Sequence, residues 1–202
     1  MRIACVSDTH GALPRLQEVD LLIHAGDACS YGTMGELKRF IKWWQAAPAR
    51  SKIYVPGNHD KVMERGRGQR EVAALMGEGR EVQGLKVWGS PVTPKFGRDW
   101  SFNMARGAVI REHWAQIPLD TDILVTHGPP YGHGDLVTGR RAGCLELMKR
   151  VAVVRPKLHV FGHIHEGYGI TASDEVGTLF INASHMDGDY QPVNAVVYLE
   201  LP

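Results

Sequence analysis

Five short clusters of Asp, His and Asn have the residue types for metal chemistry: Ser7-Asp8-Thr9-His10, His24-Ala25-Gly26-Asp27, Pro56-Gly57-Asn58-His59-Asp60, Thr126-His127-Gly128-Pro129-Pro130 and Phe161-Gly162-His163-Ile164-His165. Carboxylates, a carboxamide and imidazoles form a mixed O/N donor set that suits Mn, Fe, Zn, Co or Ni, with Mg a less natural guest. A calcium cage would ask for more oxygens. The Cys and His spacing of a structural zinc site is missing. Singly, the motifs differ in weight. Asp8-x-His10 and Gly26-Asp27 read equally well as strand-end turns, in which Gly supplies a positive φ and Asp caps a helix. A turn also accounts for Gly57-Asn58, but it gives no reason for His59 and Asp60 to follow. On extended backbone His163 and His165 would share one side, where two imidazoles seldom serve packing alone.

The set gains force from what precedes each member. Apolar, β-branched runs at 2–6, 20–24, 52–55, 122–126 and 157–161 lead into the five clusters, and further runs occur at 85–88, 178–182 and 193–199. If these are strands, ligand-type side chains converge where loops leave a rigid sheet. Helices are expected at 34–47, where Leu37, Phe40, Ile41 and Trp44 fall on one face before Pro48, and at 112–117 and 144–153. Alternating strands and helices predict layered sheets covered by helices. The stretch 61–80, with Gly66, Gly68, Gly77, Gly79 and Arg65, Arg67, Arg70, has two readings: a mobile flap or a solvated surface segment.

The composition narrows the substrate. The 202 residues fit one domain, and 23 basic against 22 acidic residues leave a net charge of +1. Such a surface would not hold duplex DNA or an anionic membrane against salt, so a small or transient substrate is expected. Cys5, Cys29 and Cys144 are odd in number and widely spaced, which predicts a reducing compartment without a disulfide framework. The opening run Arg2-Ile3-Ala4-Cys5-Val6 has the character of a strand and not of an export leader, and no run approaches the ~20 apolar residues of a membrane span. A cytoplasmic protein is expected; the oligomeric state stays open.

Taken in order, Asp-x-His, Gly-Asp, Gly-Asn-His, His and Gly-His-x-His resemble the calcineurin-like metallophosphoesterase superfamily. Longer stretches, His24 to Asp27, Thr126 to Pro130, Gly162 to Gly169 and Gln191-Pro192-Val193-Asn194, are similar to its metallophosphoesterase-domain-containing (MPPED) branch, and the likeness covers nearly the whole chain. The resemblance implies a single domain over 1–202 with a four-layer αββα sandwich: two facing mixed β-sheets flanked by helices. It implies two divalent metal ions, one on Asp8, His10, Asp27 and His165, the other on Asp27, Asn58, His127 and His163, with Asp27 bridging. Two cations roughly 3.5–4 Å apart would acidify a shared water and stabilise both oxygens of an in-line displacement at phosphorus. His59 resembles the family's leaving-group acid, a task suited to an imidazole, which titrates near working pH; its other reading is a hydrogen-bonded support.

Two positions depart from the family. Many relatives carry Asp at the place of Ser30, a carboxylate that orients the catalytic imidazole, and protein phosphatases carry Arg at that of Tyr31. Loss of the guanidinium speaks against a phosphoprotein phosphatase. Loss of the carboxylate leaves the support of His59 open, with Asp60 a candidate replacement. Some MPPED relatives have Gly at the place of His163; His here implies fuller metal occupancy. The expected function is hydrolysis of small, including cyclic, nucleotide phosphodiesters. Alternatives are a phosphomonoesterase or nuclease with the same metals, or a weakly active nucleotide-binding or scaffold protein. Asn58, His59, Tyr131 and Tyr168 are the expected substrate contacts, with His133, Trp100 and Phe102 further stacking surfaces or core residues. Arg98, Arg106, Arg140 and Arg141 would contact phosphate or be solvated, and Asn182 and His185 would support ligands or form a turn.

Overall fold

A computed structural model describes residues 1–201. Strands β1 (Arg2–Val6), β2 (Val19–His24) and β3 (Ala49–Tyr54) run parallel, with helix α1 (Met34–Ala46) between β2 and β3. A one-turn helix α2 (Lys61–Glu64) follows, then the antiparallel pair β4 (Glu78–Val82) and β5 (Leu85–Ser90). Short strands β6 (Thr93–Pro94) and β7 (Asn103–Met104) pair with each other before helix α3 (Ala108–Trp114) and strand β8 (Ile123–Thr126). The small hairpin β9 (Leu136–Val137) and β10 (Arg140–Arg141) leads to helix α4 (Leu145–Val154) and strand β11 (Leu158–Phe161). After a 3-10 turn at His165–Gly167 the chain ends with β12 (Gly169–Ser173), β13 (Thr178–Asn182) and β14 (Val197–Glu200).

Two mixed sheets result, ordered β14-β1-β2-β3 and β12-β13-β11-β8-β5-β4. Alternation along the strands divides their side chains into three apolar layers. Ile3, Cys5, Leu21, Ile23 and Ile53 of the first sheet meet Val87, Ile123, Val125, Val160 and Ile181 of the second. On the outer face of the first sheet, Ala4, Val6, Leu22 and Tyr54 receive Leu37, Phe40 and Trp44 of α1. Trp88, Leu124, Phe161 and Phe180 receive Ile110 and Trp114 of α3 with Leu147 and Val151 of α4 on the other side. The expected αββα sandwich is therefore formed. Each fully buried Leu, Ile or Phe contributes about 1.5–3 kcal/mol, which is enough to hold the strand ends in fixed register.

Several details differ from the sequence reading. β4 and β12 escape an alternation pattern because they are the two edges of the larger sheet, where much of each strand is solvated. Helix α3 starts earlier, after Gly107 with φ 87°, and Ile117 packs from the turn beyond it. The run at 193–196 is not paired, because the Asn194 carboxamide donates to the carbonyls of Ser184 and Met186 and holds a loop there. Segment 61–80 is anchored at Met63, Val72 and Leu75, which are buried, and Leu75 N–H donates to the Tyr54 carbonyl at 2.9 Å, while Arg65, Arg67 and Arg70 are exposed.

Two buried histidines are structural. His24 sits under α1 against Phe40 and Tyr54 and accepts from Gly26 N–H, and burial holds it down at about 3. His159 lies on the outer face of β11, bonded through Nε2 to the Thr126 hydroxyl at 2.9 Å, while its buried Nδ1 has no partner among the described residues. Burial, aided by His133, lowers it to about 3. Since the folded value lies below the unfolded value near 6.5, the stability it permits is complete above pH ~6.5 and lost as pH falls. His159→Phe should remove about 1–2 kcal/mol of the stability loss between pH 6.5 and 5, read from urea unfolding at both pH values; an unchanged slope would refute the burial argument.

Candidate metal centre

The C-terminal ends of β1, β2, β3, β8 and β11 meet at one edge of the sandwich, the crevice where loops leave parallel strands. The sheets are joined there by a parallel bridge between Ser7 and Ser184, with Ser7 N–H donating to the Ala183 carbonyl at 2.8 Å. Asp8, His10, Asp27 and His163 all adopt left-handed backbone, with φ of 50°, 42°, 53° and 69°. Strain of this kind costs about 1–3 kcal/mol per residue and persists only where the surroundings over-determine it. Glycine supplies the room. A Cβ at Gly26 would lie 2.5 Å from His127 Nδ1, one at Gly57 would collide with the Asp27 carboxylate, and one at Gly162 would collide with that of Asp8.

The side chains gather into groups whose donor atoms lie within 4.8 Å of one another: Asp8, His10 and His165; and Asp27, His127 and His163. Asp27 links them, with Oδ2 3.3 Å from His127 Nε2 and 3.9 Å from His10 Nε2. Asn58 Oδ1 stands 2.9 Å from His127 Nε2 and joins the second group. His165 Nε2 stands 3.4 Å from Asp8 Oδ1. His10, Asp27 and His59 form a third such group, so position alone leaves His59 free to serve as ligand or as acid. His163 and His165 do not share a side: the left-handed turn at His163 and the 3-10 turn from His165 send one to each group.

The donor set fits cations. His10, His127 and His165 are bonded through Nδ1 to the carbonyls of Cys29, Ala25 and Asp187, which directs Nε2 of each into the centre. Backbone carbonyls at the far nitrogen are the usual means of fixing a metal-ligating imidazole. His10 Nε2 is buried and has no hydrogen-bond partner among the described residues, an orphan that a bound ion would satisfy. Electrostatics agree. Burial pushes the carboxyls of Asp8 and Asp27 up, yet neighbouring histidines outweigh it and hold both low. Burial pulls His127 down, but Asp27 overcomes it and raises the imidazole to about 9.

The supports of these groups were only partly visible beforehand. Asp60 does not support His59. It is buried beneath the loops, accepting from the Tyr54 hydroxyl and from the N–H groups of Cys29 and Gly57. His59 Nδ1 is instead bonded to the Ser30 carbonyl at 2.5 Å, and its backbone N–H donates to Asp27 Oδ1 at 2.7 Å. Asn182 binds the carbonyls of Gly134 and Ile164, bracing the loop of His163 and His165. His185 is bonded to the Asn194 carbonyl. Ser184, which donates to Asp8 Oδ2 at 3.0 Å, was missed, although it follows β13 as the ligand clusters follow their strands.

A cavity of about 280 Å³ opens over the centre, lined by Asp27, Asn58, His59, His163 and His165 together with Phe96, Trp100, Val137, Glu166 and Tyr190. Tyr131 and Tyr168 do not line it, which corrects their expected contact with substrate. Tyr131 lies beneath the Arg141 guanidinium, and the Tyr168 hydroxyl donates to the Ala195 carbonyl. His133 is stacked on Phe180, and Phe102 packs against the apolar cluster on the outer face of the first sheet. Arg106 and Arg141 are tied to the Ala142 carbonyl and to Asp135, while Arg98 and Arg140 are exposed.

The model of the family described as calcineurin-like phosphoesterase matches residues 1–167. This chain belongs to that family. Metallophosphoesterase domain-containing protein 1 of Homo sapiens is 38% identical over 234 aligned residues, covering 100% of this chain and 71% of that protein. UPF0046 protein C25E10.12 of Caenorhabditis elegans is 34% identical and covers 100% of this chain and 81% of its own length. A solved crystal structure shares the fold with a TM-score of 0.63 at 14% identity, over 90% of this chain and 89% of that one. The family implies a metal-dependent phosphoester hydrolase, and no helix among the described residues is long and apolar enough to cross a membrane.

Because the phosphoesterase centre needs a glycine against Asp27, Gly57→Ala should lower the bound metal per chain by at least half while the far-UV spectrum keeps its wild-type shape. Undiminished metal by elemental analysis would refute the crowding argument.

Proposed function

We propose that the protein is a dinuclear-metal phosphodiesterase acting on small nucleotide esters, cyclic ones included. The observation that carries this reading is the shared position of Asp27 between two groups of histidines. Asp8, His10, Asp27 and His165 would hold one ion, and Asp27, Asn58, His127 and His163 the other. Manganese, iron, zinc, cobalt or nickel suits these donors, with magnesium tolerated. Two such ions, when bound, acidify a water and neutralise charge that develops on the phosphoryl oxygens.

The chain's own groups supply the rest. His59 donates its Nδ1–H to the Ser30 carbonyl, so in the imidazolium form the second proton would sit on Nε2 and could pass from there to the departing oxygen, leaving neutral imidazole. Ring packing against His10 at 4.7 Å and Trp100 at 4.5 Å steadies the imidazole. Preference for a diester is supported by a second cavity of about 350 Å³, lined by His10, Ser30, Tyr31, His59, Met186 and Tyr190. The two cavities meet at His59 and Tyr190, so the two arms of a diester have separate places to go. Charge points the same way. Glu166 stands in the lining, and no Arg or Lys is among the described lining residues, which disfavours a monoester dianion or a polyanion relative to a diester monoanion. The net charge of +1 fits a transient small substrate, and three free, buried cysteines fit a reducing cytoplasm.

With added manganese, bis(4-nitrophenyl) phosphate should be cleaved at least ~10-fold faster than 4-nitrophenyl phosphate, a difference of about 1.4 kcal/mol in barrier. Asp27→Ala should abolish both reactions; undiminished turnover in that variant would sink the proposal. His59→Ala should retain the metals but cleave a nucleoside diester about 10²–10⁴-fold more slowly, with a smaller effect on nitrophenyl esters that depart without a proton. Loss of metal from His59→Ala would make it a ligand instead.

A further inference from the structure

One wall of the cavity over the candidate metal centre is aromatic and is built to stay in place. Phe96 and Trp100 lie nearly parallel, with centroids 5.9 Å apart and an interplanar angle of 21°. Phe96 approaches the His163 ring at 4.8 Å, and Trp100 approaches the His59 ring at 4.5 Å, so the wall spans from a candidate metal ligand to the candidate acid. Both rings are only half-buried although the chain has ample core to receive them. The Lys61 ammonium rests 5.1 Å from the centre of the Trp100 ring and helps fix its orientation.

The loop that carries the wall is anchored at both ends. β6 and β7 pair beneath it, Thr93 N–H donates to the Phe102 carbonyl at 3.0 Å, and Lys95 N–H donates to the Met104 carbonyl at 2.8 Å. Asn103 Oδ1 accepts from Phe96 N–H at 2.9 Å, and Glu64 Oε1 accepts from Phe102 N–H at 2.8 Å. Gly97, with φ of 52°, lets the backbone pass under the indole, where a Cβ would come within 3.2 Å of Trp100 Nε1. A ring held this way loses little entropy when a ligand stacks on it.

We infer that Phe96 and Trp100 form the specificity surface of the site and take a flat aromatic ring, a nucleobase in size, carried by the ester arm that departs beside His59. The inference rests on the diesterase reading and deepens it. The placement beside His59 assigns the ring to the departing arm, and the cavity of about 280 Å³ has room for one such ring and its sugar. The base would be read by its π-face and not by hydrogen-bonding edges, so purines and pyrimidines alike would be accepted.

The test compares two cyclic diesters of matched reactivity in the metal-loaded protein: adenosine 2′,3′-cyclic phosphate, and glycerol 1,2-cyclic phosphate, which has no base. The wild type should favour the first by about 10–100-fold in kcat/KM, a single stacked base's worth. Trp100→Ala should remove most of that preference, losing far more on the adenosine ester than on the glycerol ester, and Trp100→Phe should retain much of it. By calorimetry, adenosine monophosphate should bind Trp100→Ala about 10-fold more weakly, with inorganic phosphate binding unchanged. Equal wild-type rates on the two cyclic esters, or equal losses on both in Trp100→Ala, would overturn the aromatic surface and leave the diesterase intact. Failure of the wild type to cleave either ester would overturn the diesterase reading, and the inference with it.

Discussion

Asp27 sits buried between two sets of histidines, in left-handed backbone, with its carboxylate reached by His127, by His10 and by the backbone N–H of His59. A buried carboxylate cannot stand uncompensated, because removing charge from water costs several kcal/mol unless partners restore the lost solvation. Its surroundings answer that demand: imidazoles turned inward by carbonyls, glycines thinned to backbone, and a second carboxylate, Asp8, placed beyond. The same arrangement that makes the pocket costly to fold makes it receptive to divalent cations.

The rest of the sandwich works to keep this edge rigid. Five strand ends deliver the groups, and the inter-sheet layer of Ile, Val, Leu and Cys side chains prevents those ends from drifting. The two sheets are locked at the edge itself through Ser7, Ala183 and Ser184, so Asp8 of one sheet and His163 of the other share a hydrogen bond at 2.9 Å. Asp60 contributes in a different way from a ligand. By accepting from the loops after β2 and β3 at once, it sets the spacing between Asp27 and Asn58.

The departure at Ser30 shows how one support can replace another. In place of the expected carboxylate side chain, the backbone carbonyl of Ser30 meets the His59 imidazole. That carbonyl is positioned by the capping box of α1: Glu36 accepts from the N–H groups of Ser30, Tyr31 and Thr33, and Thr33 Oγ1 accepts from Glu36 N–H. A helix cap and a candidate acid are thereby coupled through a single loop.

Much was legible in the linear sequence. Local apolar runs specify the interior strands because a buried strand must be apolar, and the motifs Asp-x-His, Gly-Asp, Gly-Asn-His and Gly-His-x-His name the groups that come together, since glycine beside a ligand is a local necessity. What one dimension could not carry is direction. Whether Asp60 or a backbone carbonyl meets His59, whether His163 and His165 face one group or two, and whether Tyr131 or Trp100 looks into the cavity depend on how separate loops pack after the sheets have formed. Edge strands β4 and β12 likewise exist because β5 and β13 offer hydrogen bonds, not because of their own pattern. The sequence alone determined which chemistry is present; the tertiary structure decided which atoms face each other, because side-chain direction is set by neighbours distant in the chain.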